Sequence, residues 1–460
     1  MADPVVAIVG AGPAGVRAAE TLALAGLRPV LLDEAARPGG QIYRQPPAGA
    51  ERRPDALYGL DAGRAVAIHA AVPALRDRID HRPGTLVWNV FGNRLDTLGP
   101  QGYSELAFDR LVLATGAMDR VIPFPGWTLP GVFTLGGAQI ALKAQGVAIG
   151  RRVALVGAGP LLPLVAHQYA AAGATVVAVL DVTPFSARIS ALAGMAALPG
   201  TLARGLWYTA RVALRGIPMH SGVKALRAEG DGHVERLVWT GADGREHTVD
   251  SDGLAASFGL RSESQLADLA GCDFDFDALT RQWIPRRSAA GRSSLPTVYL
   301  AGDGAGIGGA DVAELQGRRT AWAVLEDLGR PVDAAAVARL DTALAAQARF
   351  RAALEAAWPY PSHLVDAIAD TEVLCRCEGI TAGTLREAVT ARAATEVNRV
   401  KAFTRIGMGR CQGRVCGHAA AELVARARGC PIEAAGRLRA QPPVKPIPVL
   451  APPAPAEAAE

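Results

Sequence analysis

At 460 residues the chain is too long for one compact core, and a prior of roughly 100 to 200 residues per domain suggests about three units. Hydrophobic residues make up 50% and charged residues 20%, with 51 glycines and 31 prolines, a composition typical of globular α/β proteins and unlike disordered or fibrous ones. The net charge of +4 comes without a long basic block, which argues against a nucleic-acid partner, and the absence of a long apolar run or signal peptide predicts a cytoplasmic protein with no transmembrane segment.

The first predicted element is a short apolar strand over residues 5–9. It leads into the glycine sequence Gly10–Gly15 and a helix, and a second strand, residues 29–32, ends at Asp33. The three glycines fit a dinucleotide site, where the backbone must turn sharply, approach a pyrophosphate and let helix pack against strand. Asp33 is placed to accept hydrogen bonds from ribose hydroxyls. The alternative is an ordinary turn before a helix, and these features alone do not distinguish FAD from NAD.

A second strand, glycine turn, helix and strand unit begins at residue 152 and ends at Asp181. Gly157 and Gly159 are present, but Leu162 occupies the third glycine position, where its side chain obstructs the close contact of helix and strand. This departure makes NAD(P) binding doubtful. Asp181 could still receive a ribose and would repel the 2′-phosphate of NADP, so a remaining site would favour NAD or another adenosine compound. The alternative is a dinucleotide fold kept as a scaffold.

Two more strands flank the second unit. One closes on Ala114-Thr115-Gly116, and the other, residues 295–300, opens into the stretch from Ala301 to Gly306 and a helix. Residues 333–357 predict a helical connector. After Gln441 the proline- and alanine-rich tail is too poor in packing residues to order itself.

Six cysteines are too few for a disulfide scaffold, and four of them form a Cys-x-Cys pair and a Cys-x4-Cys pair near the C-terminus. Four thiolates suit an iron–sulfur cluster or a structural zinc ion. A Cys-x-Cys pair is less usual for zinc, so the cluster is favoured and zinc stays the alternative. Cys272 and Cys430 lie outside these pairs and are predicted to be structural, which argues against disulfide-reductase chemistry. The predicted metal ligands are Cys375, Cys377, Cys411 and Cys416. Glycines around the second pair allow a tight loop whose amides point at sulfurs; they are Gly407, Gly409, Gly413 and Gly417.

The order of motifs along residues 1–330 resembles that of flavoproteins with two dinucleotide-binding domains. The motifs are Gly10–Gly15, Asp33, Gly39-Gly40-Gln41, Ala114-Thr115-Gly116 and Ala301-Gly302-Asp303. This resemblance implies that the first unit binds FAD, with Asp303 hydrogen-bonded near the ribityl and pyrophosphate groups and Gly302 allowing close approach. The alternative role for Asp303 is a helix N-cap. The implied FAD-binding residues are Gly10, Gly12, Pro13, Ala14, Gly15, Asp33, Glu34, Gly40, Gln41, Thr115, Gly116, Gly302 and Asp303.

The cysteine module, from residue 373 to about 429, resembles the small helical [2Fe-2S] module of bacterioferritin-associated ferredoxin. The predicted fold class is therefore α/β: two Rossmann-like dinucleotide-binding domains of the glutathione-reductase-like flavoprotein type, followed by a small helical [2Fe-2S] domain. The predicted divisions are a discontinuous FAD-binding domain of residues 1–122 and 290–330, a second dinucleotide-fold domain of 123–289, a helical connector of 331–371, the [2Fe-2S] domain of 372–430 and a Pro/Ala-rich tail of 431–460.

The whole arrangement resembles the flavin-containing α subunits of bacterial heteromeric amine and imino-acid dehydrogenases, a family that includes opine oxidases, D-hydroxyproline dehydrogenase, hydrogen cyanide synthase and, more distantly, sarcosine oxidase. The resemblance implies that a D-amino-acid-oxidase-like β subunit with its own FAD oxidises the substrate, with an FMN between the subunits in many members and a small third subunit in some. Electrons then reach an acceptor other than NAD. The stretches that carry it are Arg37–Arg44, Phe124–Gly131, Gly157–Leu162, Ala301–Asp311 and Gly407–Cys416.

The leading hypothesis is an electron-transfer subunit, because flavin accepts electrons in pairs and a [2Fe-2S] cluster carries them singly. The eight histidines form no triad or acid–base pair, so no catalytic residue is predicted in this chain. A self-sufficient NAD(P)H-dependent FAD/iron–sulfur reductase and a non-redox scaffold are the alternatives. The aromatic stretch Phe124–Gly131 is a candidate contact surface or a rigid crossing between domains.

Overall fold

Two five-stranded parallel sheets organise the chain in the computed structural model, which describes residues 3–47 and 49–450. In the first sheet, Val6–Val9 lies at the centre and pairs with Val30–Leu32 on one side and Arg110–Leu113 on the other. Asp80–Arg82 and Val298–Leu300 form the two edges. Apart from Arg110, these central strands are apolar because helices and loops cover both faces of the sheet.

The second sheet repeats this design around Arg152–Ala158, which pairs with Thr175–Asp181 and Gly253–Phe258. Its edges are Met219–Ser221 and Val132–Thr134. Both sheets thus place a strand, glycine turn and helix at their centre, as the two sequence units predict.

Smaller antiparallel sheets fill in the remaining strands. The first domain and the second domain each contain a three-stranded meander. A two-stranded ribbon joins the two segments that run between these domains, and two more hairpins lie later in the chain. The strands follow in that order. Their strands are Leu86–Phe91, Arg94–Gly99 and Gly102–Ala107; Ala225–Glu229, Arg236–Thr240 and Glu246–Asp250; Ala117–Asp119 with Leu260–Ser262; Phe274–Asp277 with Gln282–Pro285; and Val373–Cys375 with Ile380–Thr381.

Helices cover the sheets and build the C-terminal module. The α-helices are Pro13–Leu24, Pro54–Tyr58, Ala62–Ala74, Leu135–Ala144, Leu161–Ala171, Phe185–Met195, Pro199–Leu214, Gln265–Leu269, Ala310–Asp327, Ala334–Ala357, His363–Asp366, Ala382–Thr390, Val397–Thr404, Gly417–Arg428 and Ile432–Ala435. Short 3₁₀ turns occupy Gly59–Asp61 and Gly302–Ala305. No helix in the described part of the chain is long and apolar enough to cross a membrane.

The predicted helical connector contains the longest helix, Ala334–Ala357, which begins at an N-cap aspartate, Asp333. Instead of spanning open solvent, this helix packs on Phe185–Met195 of the second domain, and Phe350 and Ala357 share a buried cluster with Met195. The connector therefore covers one face of the second dinucleotide fold.

The prediction that the tail after Gln441 stays unpacked is wrong around Val444, whereas Val449 and Leu450 are exposed as expected. Val444 is 3% exposed in the core of the first domain, and its amide donates to the carbonyl of Trp88 at 3.0 Å. Lys445 pairs with Glu34. One buried apolar side chain and a few further contacts are enough to order this part of the tail, because it packs on a sheet that the rest of the first domain already forms. Residues 451–460 of the predicted tail lie outside the described residues.

The predicted fold class is confirmed in its main features: two parallel dinucleotide-type sheets and a small helical C-terminal module. The residue limits of the domains stay a prediction. Ala117–Asp119 and Leu260–Ser262 pair with each other, so the two passages between the domains run side by side.

Candidate functional site

The predicted FAD residues lie together at the carboxyl ends of the first sheet, the usual ligand position in this class of fold. Gly10 follows the central strand and leads into helix Pro13–Leu24, whose N-terminus contains Pro13, Ala14 and Gly15. Three other strands of the sheet end just before Asp33, Thr115-Gly116 and Gly302-Asp303. A helix N-terminus with free amides is suited to a pyrophosphate.

Glycine is required in this first motif because there is no room for a side chain, and not only because the backbone needs glycine's conformational freedom. A Cβ on Gly15 would lie 1.8 Å from the carbonyl oxygen of Gly10. A Cβ on Gly10, whose φ is +106°, would lie 2.4 Å from the carbonyl oxygen of Ala114. No side chain fits at either position, so helix and strand approach each other as a dinucleotide loop requires.

Asp33 organises the glycine loop from the end of its strand. Its carboxylate accepts the amide of Ala11 and, at 2.6 Å, that of Ala35. Burial raises the pKa of this carboxyl group, and the two amide hydrogen bonds oppose that rise. A carboxylate offers about four acceptor positions, so two remain for ribose hydroxyls. The ribose role of Asp33 stays a prediction.

The Gly-Gly-Gln segment packs directly against the glycine loop. The amide of Gly39 donates to the carbonyl of Ala11 at 2.8 Å, and the Cα of Gly12 lies 2.9 Å from the position of a Cβ on Gly40. Gln41 is exposed and accepts a hydrogen bond from Arg44 at 3.3 Å. Glu34, also exposed, is engaged by Lys445 of the tail, a partner that sequence reasoning did not foresee.

The predicted FAD residues border a groove, called the FAD groove below. On the side of this groove away from Asp33, Asp303 stabilises the loop before helix Ala310–Asp327. Its Oδ1 accepts the amides of Gly308 and Gly309 at 2.8 and 2.9 Å. The N-cap of that helix is Gly309, so the simple N-cap role for Asp303 is wrong. Gly302 lies against helix Pro13–Leu24, where a Cβ would approach that of Ala14 to 2.9 Å.

The four predicted metal ligands lie together in the C-terminal module. The side chain of Cys416 neighbours those of Cys375 and Cys411, and the side chain of Cys377 neighbours that of Cys411. Among the described residues no group of three or more His, Cys, Asp or Glu side chains surrounds a single metal point. Four neighbouring thiols fit a [2Fe-2S] cluster, in which each of two irons takes two cysteine sulfurs.

Backbone amides converge on these sulfurs. Hydrogen bonding from Cys416 lowers the pKa of Cys375 to about 6, with help from the amide of Gly407, and lowers the pKa of Cys411 to about 5, with help from the amide of Gly413. These pKa shifts agree with the predicted role of Gly407 and Gly413, which stays a prediction. Such donors stabilise thiolate ligands and tune the potential of a cluster.

The second glycine motif has a different environment. Leu162 is 1% exposed, in the core between its helix and the sheet. Asp181 is 8% exposed, and its carboxylate accepts from Arg188 at 2.9 Å, from Trp358 of the connector at 2.9 Å and from the amide of Thr183 at 2.8 Å. The carboxylate that would receive a ribose is thus occupied by this chain's own groups.

The aromatic rings of the stretch Phe124–Gly131 face inward, whereas Pro125, Thr128 and Pro130 are exposed. Phe124 and Trp127 are buried, and the indole nitrogen of Trp127 donates to the carbonyl of Val373 at 2.7 Å. Arg376, between the first two cysteines, lies over the Trp127 ring at 5.1 Å. These two rings therefore do not form an external contact surface, and the rigid crossing between domains stays a prediction.

Sequence reasoning missed the residues that join the two cofactor sites. Segment 261–265 contacts Thr115-Gly116 through its backbone and the loop of Cys411–Cys416 through its side chains. In the sequence, the only sign of this junction is that charged and polar residues alternate in the segment. That pattern is common on protein surfaces and does not indicate a buried junction.

The fold and the two sites define a flavoprotein oxidoreductase that carries an iron–sulfur cluster. Residues 4–317 match the family model described as pyridine nucleotide-disulphide oxidoreductase, and residues 373–426 match a BFD-like [2Fe-2S] binding domain. The chain belongs to the pyridine nucleotide-disulphide oxidoreductase family, and it groups there with subunits of heteromeric oxidases. It binds FAD and a [2Fe-2S] cluster as part of a flavoprotein dehydrogenase complex.

The relatives support this placement along nearly the whole chain. An opine oxidase subunit of Rhizobium meliloti is 36% identical over 96% of this chain and 86% of its own length. The hydrogen cyanide synthase subunit HcnB of Pseudomonas aeruginosa is 34% identical over 96% of this chain and 97% of its own length. Among solved structures, L-proline dehydrogenase from P. horikoshii has a TM-score of 0.68 at 21% identity, covering 97% of this chain and 78% of that one, which shows a shared fold.

Proposed function

We propose that this chain is the electron-transfer subunit of an amino- or imino-acid dehydrogenase. A separate, D-amino-acid-oxidase-like β subunit with its own FAD oxidises the C–N bond of the substrate, and this chain relays the electrons to an acceptor other than NAD. The names of the relatives, opine oxidase and hydrogen cyanide synthase subunits, support a substrate of the amino-acid or opine class. Flavin exchanges electrons in pairs and a [2Fe-2S] cluster carries them singly.

In this proposal the groove of the first sheet holds FAD. The amides at the start of helix Pro13–Leu24 bind the pyrophosphate, Asp33 and Glu34 orient the ribose, and Asp303 fixes the ribityl side. Cys375 and Cys377 with Cys411 and Cys416 hold the cluster, and the amides of the surrounding loop stabilise the thiolates.

One observation favours an electron-relay subunit over a reductase that accepts electrons from NADH. The carboxylate that would bind the ribose of NADH in the second dinucleotide fold is already hydrogen-bonded within the chain. Three donors already occupy the Asp181 carboxylate, and the connector that supplies Trp358 packs over the neighbouring helix. A ribose would have to displace a buried, charge-assisted set of hydrogen bonds, which costs more than one ordinary hydrogen bond contributes. Electrons therefore enter from a partner subunit.

The test uses the full chain co-purified with its partner subunit. We expect anaerobic addition of the amino-acid substrate to bleach the flavin and reduce the cluster, whereas NADH added to the isolated chain leaves the visible spectrum unchanged. Flavin, iron and sulfide analysis fixes the cofactor content, including any FMN. Rapid bleaching of the isolated chain by NADH would instead support the reductase.

A cysteine variant tests the relay itself. Cys375→Ser removes a cluster ligand, and we expect the complex to retain flavin reduction by substrate but to lose electron delivery to an external acceptor. Cys430→Ser is the matched control, because this cysteine lies outside the four ligands and beyond helix Gly417–Arg428. Undiminished acceptor reduction by a C375S complex without its cluster contradicts the relay.

A further inference from the structure

The segment from Arg261 to Gln265 touches both cofactor sites. Its backbone belongs to the FAD side: the amide of Glu263 donates to the carbonyl of Gly116 at 2.9 Å, and the Thr115 hydroxyl donates to the carbonyl of Glu263. The Ser262 hydroxyl accepts the amide of Gly306 at 3.0 Å. These contacts fix the segment against residues on both sides of the predicted FAD groove.

The side chains of the same segment hold the cluster loop. Arg414 forms a two-pronged ion pair with Glu263, with N–O distances of 2.8 and 3.2 Å. The amide group of Gln265 donates to the carbonyl of Gln412 at 2.7 Å. Arg261 donates to the carbonyls of Arg414 and Gly413 at 3.1 and 3.5 Å. Every one of these partners lies between Cys411 and Cys416.

The charges at this junction do not cancel. The cation of Arg414 is matched by Glu263, and that of Arg281, on the far side of a cavity of about 70 Å³, is matched by the fully buried Glu422. Among the described residues Arg261 forms no ion pair, its guanidinium hydrogen-bonds to carbonyls of the cluster loop, and the nearby acid Glu263 is already paired with Arg414. Guanidinium groups stay protonated in proteins. Arg261, Glu263 and Arg414 together therefore carry one net positive charge at the loop between two cluster ligands.

We infer that the segment 261–265 couples the two redox sites: the Glu263–Arg414 pair and Gln265 hold the cluster loop against the FAD groove, and the positive charge of Arg261 raises the reduction potential of the cluster. This inference rests on the proposed function and names residues that act on the cluster without binding it. Reduction adds a negative charge to the cluster, and a nearby cation in a poorly solvated site stabilises that charge. Arg261 is thus a positioning and tuning residue.

The test measures the cluster potential in the isolated holoprotein by anaerobic redox titration followed by electron paramagnetic resonance. Arg261→Gln should shift the equilibrium towards the oxidised cluster by about tenfold, which is about 59 mV for a one-electron couple. Arg261→Lys should restore most of the potential because the charge is kept. Glu263→Gln should move the potential in the opposite direction, because it leaves Arg414 uncompensated.

Arg410→Gln is the control for charge alone. Arg410 adjoins Cys411 in the same loop but is exposed, so water and salt screen its charge and its removal should change the potential much less. Opposite shifts in R261Q and E263Q with a small shift in R410Q support the inference. If the segment had only a structural role, R261Q and E263Q would shift the reduction potential of the cluster in the same direction. That result, or no shift in either variant, overturns the inference.

The experiment needs neither partner nor substrate, so its failure is separate from failure of the relay. If R261Q does not retain a cluster, R261K and E263Q still decide the matter. A wild-type potential in E263Q then overturns the inference, and a raised one supports it. Flavin content, read from the same spectra, shows whether the FAD groove survives each change.

Discussion

The two dinucleotide folds of this chain share their topology but differ in what lies at the glycine turn. In the first fold, Gly10 and Gly15 permit contacts that no side chain allows, and the acid at the end of the second strand keeps acceptor positions free. In the second fold, Leu162 fills the core and Asp181 is occupied by Arg188 and Trp358. Two folds with the same architecture therefore differ in what surrounds the carboxylate at the end of the second strand. In the first fold it keeps acceptor positions free, and in the second fold it is hydrogen-bonded within the chain.

The largest expected effect comes from Gly15→Ala in the first fold. Its Cβ would lie 1.8 Å from a backbone oxygen, so strand and helix must move apart. We expect loss of FAD and a fall in the free energy of unfolding of about 4 kcal/mol or more. Flavin content and denaturant unfolding measure both. Gly205→Ala is the control, since no atom lies within 4 Å of its Cβ in helix Pro199–Leu214, and it should stabilise slightly.

Restoring the third glycine in the second fold should not restore nucleotide binding. Leu162→Gly removes a buried side chain from the core, and we expect a loss of about 3 kcal/mol in unfolding free energy. FAD content should stay near one per chain, because the first fold is untouched. NADH should still not bleach the flavin, since Asp181 keeps its three donors. Bleaching of L162G by NADH would show that Leu162, rather than the occupied carboxylate, closes the site.

The two strand-end acids should respond differently to amide substitution. Asp181→Asn weakens the hydrogen bonds from Arg188 and Trp358, and we expect a loss of about 1 to 2 kcal/mol in stability with unchanged FAD content. Asp33→Asn leaves one loop amide without its carboxylate acceptor, and we expect weaker FAD retention during gel filtration. Equal FAD loss in both variants would contradict the division of roles between the folds.

The smallest expected effect is a pH dependence at His69, which hydrogen-bonds the carbonyl of Tyr43 at 2.7 Å beside the Gly-Gly-Gln segment. Burial lowers the pKa of His69 in the folded protein, so between that lowered pKa and 6.5 the unfolded chain binds more protons. Stability from this group is fully present above pH 6.5 and is lost as the pH falls through that window.

A matched pair of variants isolates this effect. His69→Gln should flatten the pH dependence of unfolding and of FAD retention below pH 6.5. His167→Gln is its counterpart in the second fold, where burial, followed by Arg215 and Arg211, also lowers the histidine pKa. We expect H167Q to change the unfolding profile without changing FAD retention. Thermal unfolding and flavin fluorescence across pH 5 to 8 provide both readouts.

Much of the fold could be predicted because its determinants are local. The glycine spacing at residues 10–15, the apolar strands on either side and the acid at residue 33 all constrain a single short stretch of backbone. The paired cysteines and their glycine-rich loop are equally local, since ligand spacing and loop geometry follow from neighbouring residues. These local patterns were enough to predict the class of fold, a dinucleotide site and a four-cysteine site, and the resemblance to known families then indicated FAD and a [2Fe-2S] cluster.

Only the tertiary structure decided how these parts meet. Trp358 reaches Asp181 across 177 positions of sequence, and Arg414 reaches Glu263 across 151. The packing of Val444 in the first domain and the burial of Trp127 against the cluster module are of the same kind. Such pairings depend on the packing of whole domains, and a charged or aromatic residue looks the same in sequence whether it ends in solvent or at a buried junction. The sequence by itself therefore determined that the protein has a dinucleotide site and a four-cysteine site, and the folded chain determined which strand-end acid is already hydrogen-bonded and which residues join the two sites.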